Sequence, residues 1–168
     1  MPRHPVFRAT ELMDMAIRIE EHGQAFYEAC LSATALSELR EVFQYLLSQE
    51  IEHARVFSRM KSAMDQDIAF PESYPGEHRN YLDAFVKKEV FDDPETAARQ
   101  VEAVEDADQA IEWALSLEKQ SILFYSGIKS LMKQFEADNV DRIIAQEHDH
   151  VRRLQTLRRE LAQPKQEP

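Results

Sequence analysis

The chain has 168 residues, 43% of them hydrophobic and 30% charged, with a net charge of −11, 3 glycines and 1 cysteine. This length suits a single domain with a true core. The acidity argues against nucleic-acid or anionic-membrane partners, and the lone Cys30 excludes both an internal disulfide and a four-cysteine zinc or rubredoxin-type iron site. Abundant helix formers and scarce glycine point to an all-α protein.

The first fifteen residues contain no sustained apolar run, and no stretch approaches the ~20 apolar residues that span a bilayer. With no signal peptide visible, the expected location is cytoplasmic. Thr10 is the expected N-cap of a first helix, with Glu11 in its first turn. The inward face of that helix reads Leu12, Ala16, Glu20, Gly23, Tyr27 and Leu31, and Cys30 falls on its apolar pattern as a small core residue. A second helix is expected from Ser37 to Met64, with Phe43, Leu46, Leu47, Glu50, His53, Ala54 and Phe57 on one face.

Prolines and a glycine then break the pattern in DQDIAFPESYPGEH. A short amphipathic stretch from Tyr81 to Val90 follows, and Asp93-Pro94 resembles another helix start. A third helix is expected from Asp108 to Phe135, with Ile111, Ala114, Leu115, Glu118, Ile122 and Tyr125 inward. A fourth should run from Ala137 to Leu161, with Val140, Ile143, Ile144, Glu147, His150, Val151 and Leu154 inward. The expected domain is therefore a helical hairpin (10–64), a partly helical connection (65–107), a second hairpin (108–161) and a frayed polar tail (162–168). One long crossover lets the second and third helices run parallel in a four-helix bundle.

The two hairpins repeat each other. AIRIEEHGQAFY (16–27) matches ALSLEKQSILFY (114–125) at an offset of 98, and LLSQEIEH (46–53) matches IIAQEHDH (143–150) at an offset of 97. Each half thus supplies a Glu, a Tyr seven residues later, and a Glu-x-x-His: Glu20, Glu50, His53 and Glu118, Glu147, His150. All six fall on apolar stripes. Four carboxylates aimed into one core repel each other, and burial penalises each of them. Two divalent cations would balance their four charges, while neutral imidazoles complete the ligand set. Residues i and i+3 lie about 5–6 Å apart on one helix face, so each Glu-x-x-His can serve one ion pair. One imidazole per metal among carboxylates suits iron or manganese better than zinc, which remains an alternative.

Tyr27 and Tyr125, two turns from Glu20 and Glu118, are candidates to orient ligating carboxylates through their hydroxyls, or else pack simply in the core. Phe26 and Phe124 read as core. Gly23 and Ser121, one turn after Glu20 and Glu118, leave room for oxygen or peroxide near the metals, or else serve close helix packing. Glu21, His22, Glu52, His148 and Asp149 fall off the inward stripes and read as surface. Trp113 reads as a packing or subunit-contact residue.

With these hairpins in view, the chain resembles the ferritin-like diiron superfamily, and the Glu20–Tyr27 run is most similar to rubrerythrins. The resemblance implies a ferritin-like bundle in which Glu20 and Glu118 are terminal ligands, Glu50 and Glu147 bridge two irons, and His53 and His150 each cap one. It also implies O2 or peroxide chemistry. Rubrerythrins proper add a four-cysteine rubredoxin-like domain, absent from these 168 residues, so an external electron donor is expected. They also carry an extra Glu where this chain has Ser121, which leaves a symmetric six-ligand set closer to that of bacterioferritin. The function expected is a peroxide- or O2-reactive diiron redox protein. Ferroxidase and storage activity in a larger assembly, or a metal-free interaction bundle, are the alternatives. A homodimer is expected because Phe85, Phe91 and Trp113 need cover.

Overall fold

The computed structural model describes residues 9–33, 39–64, 99, 101–130, 132 and 134–163. Four helices follow in chain order: α1 (Ala9–Ser32), α2 (Arg40–Ala63), α3 (Ala107–Lys129) and α4 (Gln134–Ala162), with no strand among the described residues. The expected all-α four-helix architecture is therefore the observed one.

Polar pairs at the helix ends fix the topology. Lys61 Nζ meets Asp14 Oδ1 at 2.6 Å, and Arg40 donates to the Leu31 carbonyl at 3.2 Å, so α1 and α2 are antiparallel. Arg158 grips Asp108 through two bonds of 2.6 and 2.8 Å, and Lys129 pairs with Asp141 at 2.5 Å, so α3 and α4 are antiparallel too. Across the hairpins Tyr27 meets Glu118 and Tyr125 meets Glu20, which runs α1 against α3. It follows that α2 and α3 are parallel. The expected helix at Tyr81–Val90, the start at Asp93-Pro94, and Phe85 and Phe91 lie outside the described residues, as does most of the tail.

Several boundaries differ from expectation, and α2 begins at Arg40, not Ser37. Thr10 lies inside α1 and does not cap it. The cap of α3 is Asp106, whose carboxylate accepts from the Gln109 amide at 2.9 Å, satisfying one of the unpaired donors of the first turn. Most notably, α3 ends at Lys129, not Phe135, and α4 begins at Gln134. No Gly or Pro marks this reversal. Ile128 near the end of α3 shares an apolar cluster with Val140 and Ile143 on α4.

The core divides into two apolar layers. One joins Phe26, Tyr27, Phe43, Leu46, Ile111, Ala114 and Leu154, with half-buried Trp113 packed against it. The other joins Leu12, Met13, Ala16, Ile19, Phe57, Phe124, Tyr125 and Ile128. Each fully buried Leu, Ile or Phe side chain contributes about 1.5–3 kcal/mol. That gain offsets the cost of the polar residues held between the two layers. No helix among the described residues is long and apolar enough to cross a membrane.

Candidate metal centre

All six motif residues are buried: Glu20, Glu147 and His150 are fully enclosed, and Glu50, the most accessible, is 4% exposed. They come from all four helices. Because each Glu-x-x-His spans less than one turn, α2 delivers Glu50 and His53 together, and α4 delivers Glu147 and His150 together. The six form two overlapping groups, Glu20/Glu50/His53/Glu147 and Glu50/Glu118/Glu147/His150, and the candidate ligand atoms of each group lie within 4.8 Å of one another. Glu50 and Glu147 belong to both groups. Glu20 with His53, and Glu118 with His150, belong to one each.

The imidazoles present Nδ1 to this cluster. His53 Nδ1 is 2.9 Å from Glu147 Oε1 and 3.5 Å from Glu20 Oε2. His150 Nδ1 is 3.1 Å from Glu118 Oε2, 3.2 Å from Glu147 Oε2 and 3.8 Å from Glu50 Oε1. The two rings stack nearly parallel, 5.6 Å apart. His53 Nε2 faces Gln146 Oε1 at 3.1 Å. Since an amide oxygen only accepts, Nε2 carries a hydrogen, so a ring that gives up its other proton exposes its lone pair on Nδ1, toward the carboxylates. Gln146 was not singled out from the sequence. Its signal was available, because a Gln precedes the motif Glu in both copies, Gln49 and Gln146.

The tyrosines act across the hairpins. Tyr27 donates to Glu118 Oε1, and Tyr125 donates to Glu20 Oε1. Each hydroxyl therefore serves the Glu of the other half, not the one on its own helix. Burial first, and then the neighbouring carboxylates, push both phenols well above their ordinary range, so they remain donors.

Electrostatics show what the cluster lacks. Burial, with repulsion from Glu20, Glu118 and Glu147, raises Glu50 well above the usual carboxylate range. Burial and Glu118 push Glu147 up to about 8. Burial would also raise Glu118, but hydrogen bonds with Glu147, His150 and Tyr27 outweigh it and hold that carboxyl below its ordinary value. Burial pulls both imidazoles down. The adjoining carboxylates win, and raise His53 to about 11 and His150 to about 9. Beyond these imidazole–carboxylate pairs, Glu20 Oε2, Glu50 Oε1, His53 Nδ1, Glu147 Oε1 and His150 Nε2 have no hydrogen-bond partner. Buried polar atoms are seldom left so. Four of these five atoms belong to the Glu20/Glu50/His53/Glu147 group, and such a donor set fits divalent cations.

His22 corrects the surface reading: it is 4% exposed. It lies three residues after Ile19 and four before Phe26, both buried. That spacing was a usable signal, missed because α1 packs against two helices and buries a wider arc than one stripe. Glu21, Glu52 and His148 are exposed as expected. Asp149 is surface-facing, with Arg152 and Arg153 within 3.2 and 2.7 Å.

The sequence model of the family described as Rubrerythrin matches residues 11–158, a span that takes in all six motif residues. The chain belongs to the rubrerythrin family. A solved Thermotoga maritima protein, described as ferritin-like and diiron-carboxylate, is similar to this rubrerythrin-family chain at 25% identity and a TM-score of 0.67. The likeness covers 95% of this chain and 100% of that one. No curated protein matches. The fold is thus ferritin-like, and the buried carboxylate–imidazole cluster of this rubrerythrin-family protein is a candidate dimetal site.

Proposed function

We propose that the chain is a dimetal redox protein, with iron as the native metal, that reacts with peroxide or O2. The observation that carries this reading is the overlap of the two four-residue groups at Glu50 and Glu147. Glu50 and Glu147 would be shared between two cations, with Glu20 and His53 available to one and Glu118 and His150 to the other. Four carboxylates and neutral imidazoles match two divalent charges, and an oxygen-rich set with one nitrogen per metal suits iron or manganese. When bound, a pair of redox-active ions supplies electrons to the oxidant.

The chain's own residues do the rest. Tyr27 and Tyr125 orient Glu118 and Glu20 through their hydroxyls. Gln146 fixes the ring of His53 so that Nδ1 faces inward. The two apolar layers exclude bulk water from the cluster. An external donor returns electrons, and the working unit is a cytoplasmic homodimer.

The test is metal content per chain after anaerobic Fe(II) loading, compared with a Glu50→Ala/Glu147→Ala variant, followed by peroxide and O2 consumption. About two ions per chain, lost in the variant, with oxidant consumed, support the proposal. Equal and negligible metal in both chains means the cluster is a buried polar network. Fe(II) oxidation without sustained turnover in the presence of a reductant favours ferroxidase and storage.

A further inference from the structure

The two halves of the site are not equivalent, and the difference lies at Gly23. A Cβ built on Gly23 would stand 2.3 Å from Glu50 Oε2 and 3.1 Å from its Cδ. The space of the missing side chain is therefore filled by one oxygen of a shared carboxylate. The offset of 98 places Ser121 in the equivalent position on α3. Ser121 keeps its Cβ, and its hydroxyl turns back to the Leu117 carbonyl at 3.1 Å.

A narrow cleft between α1 and α3 lies at the same place. It is lined by Ile19, His22, Gly23 and Tyr27 of α1, by Glu50 of α2 and by Leu117, Glu118 and Ser121 of α3, with room for about one water-sized molecule. Ile19/Leu117 and Gly23/Ser121 are both pairs at the offset of 98, but Tyr27 and Glu118 line the cleft without their counterparts Tyr125 and Glu20, so its lining is not symmetric. Glu50 lines it and Glu147 does not.

We propose that Gly23 is a positioning residue that gives Glu50, and not Glu147, a second place to rest, making Glu50 the adjustable carboxylate of the pair and the movable wall of a cleft that admits a water-sized ligand. This rests on the dimetal reading above. Glu50 Oε1 faces the cluster, 3.8 Å from His150 Nδ1, while Oε2 lies over the Gly23 backbone. The side chain already spans both places. A methyl group at position 23 removes the outer one.

The experiment is a Gly23→Ala, Glu50→Asp and double-variant cycle, with Ser121→Ala as the control on the other half. Two readouts are used: thermal unfolding of the metal-free chain and calorimetric titration with Co(II). Gly23→Ala should lower the metal-free Tm and weaken the second Co(II) at least tenfold, while Ser121→Ala changes neither. Shortening Glu50 draws its carboxylate back, so Glu50→Asp should recover much of the Tm lost to Gly23→Ala, which is the coupling expected of a direct contact. Wild-type Tm and two unweakened ions in Gly23→Ala would overturn the proposal. So would a Gly23→Ala chain that fails to fold equally with either residue at position 50, because the fault would then lie in helix packing. If the wild-type chain takes up no Co(II), the dimetal reading fails separately, and the metal-free cycle still measures the Gly23–Glu50 contact.

Discussion

The Tyr27 hydroxyl, on the first hairpin, donates to the Glu118 carboxylate on the second, 91 residues away in sequence. Tyr125 returns the arrangement to Glu20. Replacing Tyr27 by Phe removes a donor and leaves Glu118 to orient itself. Tyr27→Phe should lower divalent-metal affinity by roughly 10–100-fold, the scale on which such orienting partners act. Tyr125→Phe should do the same through Glu20. Calorimetric titration checks both, and unchanged affinity in both variants would reduce the tyrosines to packing.

Removing one charge should separate stability from binding. Glu147 is enclosed and repelled by its neighbours. Glu147→Gln keeps the shape and relieves that repulsion, so the metal-free variant should melt no lower than wild type at about pH 8, and higher if repulsion dominates. The same variant should lose most of the Tm increase that wild type gains on adding Mn(II) or Co(II). Differential scanning fluorimetry with and without metal reads both. A variant that gains as much as wild type would show that Glu147 is not shared between two ions.

Protons occupy the cluster when metal does not. His150 is raised from 6.5 to about 9 and Glu147 from 4.5 to about 8. A raised value means the folded state holds its proton more tightly than the unfolded state. The resulting stability is complete below the unfolded value and lost as pH climbs through the folded one. The metal-free chain should therefore lose thermal stability as pH rises from 4.5 to about 9, first through Glu147 and then through His150. Cations displace those protons, so metal affinity should rise over the same window, with proton release visible in buffers of different ionisation enthalpy. Binding that is independent of pH and releases no proton would contradict the assignment.

Asp106 offers a control remote from the cluster. Asp106→Ala removes the cap of α3 and should cost about 1 kcal/mol by chemical denaturation, with metal stoichiometry unchanged. Cys30 offers a second. Burial pushes its thiol up to about 12, so alkylating reagents should leave it untouched in the folded chain and modify it on unfolding.

The six cluster residues were legible because carboxylates and imidazoles on an apolar stripe are unusual, and two matching copies are more so. The hairpins, the parallel α2 and α3, and the core role of Phe26 and Phe124 followed from periodicity. The end of α3 at Lys129 was not legible, since Ser130 to Lys133 carries neither Gly nor Pro. The partners of the tyrosines were not legible either. Sequence spacing placed Tyr27 near its own Glu20, whereas the hydroxyl reaches across the bundle to Glu118. His22 was misread because one stripe was taken for the whole buried arc of a helix that has two neighbours.

The cluster draws on all four helices, and its crossing bonds join residues 91 and 105 positions apart. A nascent chain cannot assemble it until His150, on the last of the four helices, has been made and α4 has docked. Under the proposed function, cation capture waits for all four helices to dock, and a partly folded chain offers no comparable ligand set.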